Sequence, residues 1–392
     1  MSTRFTRRHA TALTLCAVTV AALQGVASPM AGASQPAPTA AAPAPASASA
    51  VGLVEDQTAR ALATSLADRR WGAQIRSAAL ASEQVDLGAL TDRATARAGQ
   101  ALAPAVARGD QRIAAAKGLG ADTGSLLRLR LAADSMRDEL AAGTAPLVAA
   151  AGTDDSAETI TAYDSRGRAH TLDARRTPDR PVYVVDIDVT KAMAAGLGIV
   201  DKELTKRGLT SAEAPQARTQ AQTQNRAAAA GFWTTRVDSV YLSSDEEPWV
   251  SGDAEIFSIV SGFGFDGKVR VDTVTMPYLD NDGTTYYPNQ ILVNWSSYKY
   301  NLADVVMMED DGDTNYQALA KAIADVLLTI TDQGAYIPLV NAILDAIPTS
   351  WWTNDPDYVD SWYTLGQNSS GRLNGARGNG WMTVSPYFVE QF

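Results

Sequence analysis

Cysteine and histidine are almost missing from this 392-residue chain. It has one cysteine, Cys16, and two histidines, of which His170 alone lies outside the N-terminal segment. Cys16 sits in an apolar run from Ala10 to Leu23 that follows Arg4, Arg7 and Arg8 and precedes small residues ending in Ala31-Gly32-Ala33. That order is the order of a cleavable signal peptide over residues 1–33, so the protein is expected to be secreted, with cleavage near Ala33. Leu15 stands where a lipoprotein signal needs a small residue, and Ala10 and Thr11 stand where a twin-arginine signal needs bulky apolar ones. Cleavage would leave a chain with no thiol, which excludes disulfides, thiolate metal sites and cysteine nucleophiles together. With one imidazole left and no G-x-S-x-G, neither a zinc site nor a serine triad can be assembled. His170 reads as a surface histidine on a hairpin. Long apolar runs are lacking too: the N-terminal one is short of the roughly 20 residues that span a bilayer, and no membrane span is expected.

Positive charge is scarce in one half only. Residues 232–392 hold 22 Asp and Glu against 7 Lys and Arg, a net of −15, whereas residues 1–231 carry a net of +4. The acidic part also carries seven of the eight tryptophans and eleven of the thirteen tyrosines. Such a surface repels phosphate backbones, so nucleic acid is excluded as a partner and cations are favoured.

The patterning predicts an α+β protein. Residues 34–50 are an Ala/Pro-rich linker unable to bury enough apolar surface to order itself. Residues 51–150 form a helical region: Leu62, Leu66, Ile75 and Ala79 share a helical face, and further helices are expected over Leu87–Ala107, Asp110–Lys117 and Ser125–Ala141. Residues 151–204 form a small β element, a hairpin or three-stranded sheet over Thr159–Ala162, Ala169–Leu172 and Val182–Asp188. Residues 205–231 read as a linker. From 232 to 392 short strands recur at Thr234–Leu242, Ala254–Ser261, Val269–Met276, Gln290–Trp295, Val305–Met308 and Trp381–Phe388, which suits an antiparallel β-sandwich. Helices are expected from Asp313 or Thr314, capped by an acidic residue, and from Pro338.

Three acidic loops in this sandwich carry the functional signal. They are Ser243–Trp249 with Asp253 and Glu255, Asp280-Asn281-Asp282-Gly283, and Glu309-Asp310-Asp311-Gly312-Asp313. Hard cations such as calcium take six to eight oxygen ligands from flexible loops, and a divalent ion turns the repulsion among crowded carboxylates into attraction. The expected cofactor is calcium, with Asp245, Asp253, Glu309, Asp311, Asp313, Asp280 and Asp282 as its ligands. The second loop copies the start of an EF-hand loop without its closing glutamate.

The strand–loop–strand pattern around Asp245-Glu246-Glu247-Pro248-Trp249-Val250, with the later acidic loop, resembles the calcium loops of C2-type sandwiches. That resemblance implies Asp245 and Asp253 from one loop meeting Glu309, Asp311 and Asp313 from another at one end of the sandwich. From about residue 50 onward the chain resembles a family of secreted bacterial proteins known only as a domain of unknown function. The stretches that carry this are EEPWVSGDAEIFSIVSG, PYLDNDGTTYYPNQILVNW, EDDGDTNYQALAKAI and WWTNDPDYVDSWYTL.

These observations give an extracellular calcium-binding protein that binds or scaffolds, with polysaccharide or protein as candidate partners, rather than an enzyme. The rival reading is a secreted polysaccharide hydrolase using two carboxylates among Asp245, Glu247, Asp253 and Glu255 beside a cleft. Trp249, Trp295, Trp351, Trp352 and Trp362 are its candidate sugar-stacking residues, most of them expected in the core. Asp355, Asp357 and Asp360 read either as ligands or as helix-start acids.

Overall fold

A computed structural model describes residues 49–151, 157–210, 231–243, 255–310, 314–347 and 358–390. The chain begins with α1 (Ala50–Ser65), started by Ser49, whose hydroxyl accepts from Gly52 N, and α2 (Arg69–Ala81), started by Asp68. Then come β1 (Gln84–Asp86), α3 (Leu87–Asp92), α4 (Arg97–Ala116), β2 (Leu127–Leu131), α5 (Arg137–Ala141) and β3 (Leu147–Ala150). They are followed by β4 (Thr159–Tyr163), β5 (Ala169–Asp173), β6 (Val182–Ile187) and α6 (Val189–Lys206). Strands β1 to β6 make one sheet in the order β1-β2-β6-β3-β4-β5, antiparallel except where β3 runs parallel to β6.

Two expectations are corrected here. Residues 127–131 are a strand, because Leu127-Arg128-Leu129-Arg130-Leu131 alternates with period two: the leucines turn to the core and the arginines pair with Asp188 and Asp186 of the β6 side. The small β element becomes part of a six-stranded sheet for the same reason, since β2 and β3 flank β6 on either side. Helix α6 was not anticipated. Asp188 caps it by accepting from Lys191 N, and Ala192, Met193, Gly196, Leu197, Val200 and Leu204 bury one stripe. Residues 211–230 of the expected linker lie outside the described residues.

The second half holds β7 (Gly231–Leu242), β8 (Ile256–Phe263), β9 (Val269–Met276), β10 (Thr285–Tyr286), β11 (Gln290–Asn294), β12 (Leu302–Glu309), α7 (Tyr316–Leu327), α8 (Val340–Ala346), β13 (Tyr358–Gly366), β14 (Gly371–Asn374) and β15 (Gly380–Glu390). A five-stranded sheet runs β10-β7-β15-β14 with β11 also on β7, and a four-stranded sheet runs β13-β12-β8-β9. Their facing sides bury Val237, Val240, Val260, Val305, Met307, Trp362, Met382 and Val384, which makes the pair sandwich-like. The alternate residues of β8 and β12, Phe257, Ile259, Val306 and Met308, face a second core shared with α6, α7, α8 and the N-terminal helices. The four-stranded sheet is therefore covered on both sides, and residues Ala46–Phe392 group as one compact unit. Helix α7 starts at Asn315, whose side chain accepts from Ala318 N, rather than at the acidic residue expected.

The segment after α7 is tied to the sandwich by Asp332, whose carboxylate takes the Lys299 ammonium, the Tyr300 hydroxyl at 2.6 Å and Gly334 N at 2.8 Å. The hydrogen bond from Lys299, then those from Tyr300 and Gly334, hold its pKa down at about 2. An unfolded aspartate titrates near pH 3.9, so this contact stabilises the fold above that pH and is lost as pH falls toward 2. In Asp332→Asn the acid limb of melting temperature against pH should be shallower between about pH 4 and pH 2; equal slopes for variant and parent would refute the linkage.

Candidate metal centre

Strand register decides which acidic loops can meet. Ile256 of β8 stands opposite Glu309 of β12, and one step further Asp310 N donates to Glu255 O at 3.0 Å. The loop that enters β8 and the loop that leaves β12 therefore lie side by side. On the neighbouring sheet, Gly283 N donates to Leu242 O at 2.8 Å, with Gly283 at φ +65° completing its turn. The β9–β10 turn, carrying Asp280 and Asp282, thus meets the last residue of β7, from which the first acidic loop departs. All three loops start from one rim of the two sheets.

Period two then sorts the third loop. Met307 and Glu309 lie on the face toward the five-stranded sheet, whereas Met308 and Asp310 lie on the helix face. Asp310 is consequently carried into the core, where it is 2 % exposed. There Lys117 Nζ, just past the end of α4, donates to its Oδ1 at 2.8 Å, and Tyr316 Oη donates to its Oδ2 at 2.5 Å. The Lys117 ammonium pairs with this carboxylate. Sequence reasoning missed Lys117 and Tyr316; the signal was a lysine continuing the buried face of α4 past Asp110, Ile113 and Ala114.

Of the predicted ligands, Asp245, Asp253, Asp311 and Asp313 lie outside the described residues. Glu309 ends β12. Asp280 accepts from Tyr286 Oη at 2.7 Å and from Asn281 Nδ2 at 3.1 Å, and burial, with Asp280 beside it, pushes the Tyr286 phenol pKa up. Glu255 accepts from Thr190 Oγ1 of α6 at 3.4 Å. Among the described residues, no three His, Cys, Asp or Glu side chains form a group able to hold a metal ion. Any complete shell must draw on the loop residues beyond them.

Asp360 is neither a helix-start acid nor a rim ligand. It lies in β13 with no exposure and accepts Ser361 N and Arg377 N on Oδ1 and Gly380 N on Oδ2, each at 2.8 Å. Its carboxylate organises the β14–β15 turn. His170 lies on the β4–β5 hairpin with Nε2 3.2 Å from Asp164 Oδ2, beside Arg168.

Of the tryptophans named as stacking candidates, the two among the described residues offer little stacking surface. Trp295 and Trp362 are buried and donate to Thr235 Oγ1 and Leu373 O, while Trp249, Trp351 and Trp352 lie outside the described residues. Trp381 has one face under the Arg372 guanidinium at 4.1 Å and stacks on Tyr241 at 5.6 Å, so its faces are occupied by neighbours. Of the carboxylates assigned to the hydrolase reading, Asp245, Glu247 and Asp253 lie outside the described residues. Two surface hollows, one lined by Tyr300 to Leu302 with Gly366 to Ser369 and one between α2 and α3, do not include Glu255.

No helix among the described residues is long and apolar enough to cross a membrane. Residues 58–392 match the model of a family described as "Protein of unknown function (DUF3103)". No curated protein and no solved structure matches the chain.

Proposed function

We propose, for a chain that belongs to the DUF3103 family of unknown function, that it is an exported calcium-binding protein whose acidic loops are ordered by the ion to present a binding or scaffolding surface. The observation that supports this most is the pairing of Glu255 O with Asp310 N, together with that of Leu242 O with Gly283 N, which sets the strand ends from which the acidic loops depart beside one another. Carboxylates crowded on neighbouring loops repel, and a bound divalent ion turns that repulsion into attraction. The ligands in this reading are Asp245, Asp253, Glu309, Asp311 and Asp313, with Asp280 and Asp282 at the edge. Extracellular modules of this kind bind calcium in the range of about 0.1 to 1 mM, which suffices where calcium is abundant.

Thermal unfolding of the purified protein in calcium and in chelator tests the reading. Ten millimolar calcium at such affinities would add roughly 1.4 to 2.7 kcal/mol and raise the melting temperature by several degrees. The double variant Asp311→Asn/Asp313→Asn should lose most of that rise while melting like the parent in chelator. Superimposable parent curves with and without calcium would end the proposal.

A further inference from the structure

We propose that Lys117 and Asp310 become joined by an intramolecular amide, a self-formed isopeptide bond that links the end of α4 to the end of β12. The proposal is separate from the calcium reading, in which Asp310 is not a ligand. Both side chains have no exposure at all, and Nζ lies 2.8 Å from Oδ1. That spacing holds Nζ in hydrogen-bond contact with the carboxyl group whose Cγ it would attack, the kind of fixed proximity that makes an intramolecular reaction effective. The partners are also held in place. Lys117 N donates to Ile113 O at 2.9 Å, Tyr316 N donates to Lys117 O at 3.1 Å, and Asp310 N donates to Glu255 O at 3.0 Å.

Water exclusion makes the step chemically reasonable. An ammonium–carboxylate pair is costly to bury, and transfer of one proton from Nζ to Oδ1 removes both charges. The free amine then attacks Cγ while the Tyr316 hydroxyl, 2.5 Å from Oδ2, steadies the negative charge that develops there. Collapse breaks the Cγ–Oδ1 bond, a second Nζ proton goes to the departing oxygen, and one water molecule leaves. Ammonium plus carboxylate becomes amide plus water, with no oxidant, reductant or co-reactant. A chain without thiols beyond residue 33 has no disulfide to staple it, and this bond would close a span of 193 residues.

Intact mass spectrometry of the denatured protein, referred to its measured N-terminus, is the test. The parent should be one water lighter than its sequence. A digest should contain a branched peptide carrying Lys117 and Asp310, and Lys117→Arg and Asp310→Ala should each show full mass. Full mass for the parent would overturn the proposal and leave a buried ion pair. So would a water loss traced to a cyclic imide at Asp266-Gly267, Asp282-Gly283 or Asp311-Gly312 without a branched peptide. Neither result depends on the variants folding.

Discussion

Replacing Asp360 by alanine is expected to lower the unfolding free energy by about 3 kcal/mol or more, because three backbone N–H groups lose their acceptor together and each buried donor left unpaired costs about 1 to 3 kcal/mol. The donors come from three places, Ser361 in the same strand, Arg377 in the β14–β15 turn and Gly380 at the start of β15. Loss of the carboxylate should therefore loosen that turn and weaken the pairing of β15 with β7 that starts at Gly380 opposite Leu242. A Cβ placed on Gly375 would sit 2.0 Å from Asp360 Oδ2, so Gly375→Ala strikes the same contact from the other side. Asp360→Asn keeps the shape but turns a donor toward the turn, and its loss should fall between that of the parent and of alanine. Urea unfolding reads these differences as midpoint shifts at constant slope. A change under about 0.5 kcal/mol for Asp360→Ala would place it with ordinary surface substitutions and refute the role. The rise in melting temperature proposed for calcium should be the same in the variant as in the parent, since the oxygens of Asp360 are spent on backbone donors.

The contrast between Asp360 and Asp310 shows what the sequence could and could not reveal. Strands with apolar runs announced themselves: the stretch IFSIVSGF in β8 is buried throughout because helices cover one side of its sheet and the second sheet covers the other. The same double covering hid the helical packing, since a strand buried on both faces does not say what lies against it. Helix α6 carried a readable stripe and an Asp188 cap, but it follows β6 directly and was absorbed into the β region. Strand β2 was obscured by its Ala-rich helical surroundings, although its Leu/Arg alternation stood in plain view. Strand β13 follows the aspartates at 355 and 357 and contains Asp360, and these drew attention to ligation rather than to pairing.

Acidic clusters were legible as composition, and their common rim follows from strand register, which period-two reasoning can reach once the strands are placed. The fate of each carboxylate was not legible. Asp310 and Glu309 are sequence neighbours with opposite environments, decided by which face of β12 each side chain leaves. The partner of Asp310 comes from 193 residues away, a distance over which no local pattern carries information. Charge counting treats the cluster as one object, whereas the fold carries Asp310 into a core ion pair and leaves Glu309 on the other face of β12.

Lys117→Met is expected to cost about 3 to 5 kcal/mol, because Asp310 then remains buried with Tyr316 as donor and no cation against it. The single variant alone does not say what kind of link it has broken; the double variant Lys117→Met/Asp310→Leu does. If the two residues form only an ion pair, apolar replacement of both should recover the loss and can exceed the parent by about 1 to 4 kcal/mol, since two buried charges are removed together. If an amide joins them, the double variant still lacks a cross-link spanning 193 residues, whose closure entropy in the unfolded chain is worth about 5 kcal/mol. It should then stay well below the parent in both midpoint and melting temperature. The sign of the double variant relative to the parent therefore reports, by equilibrium unfolding, on the same bond that mass spectrometry reads directly, and disagreement between the two would count against the amide.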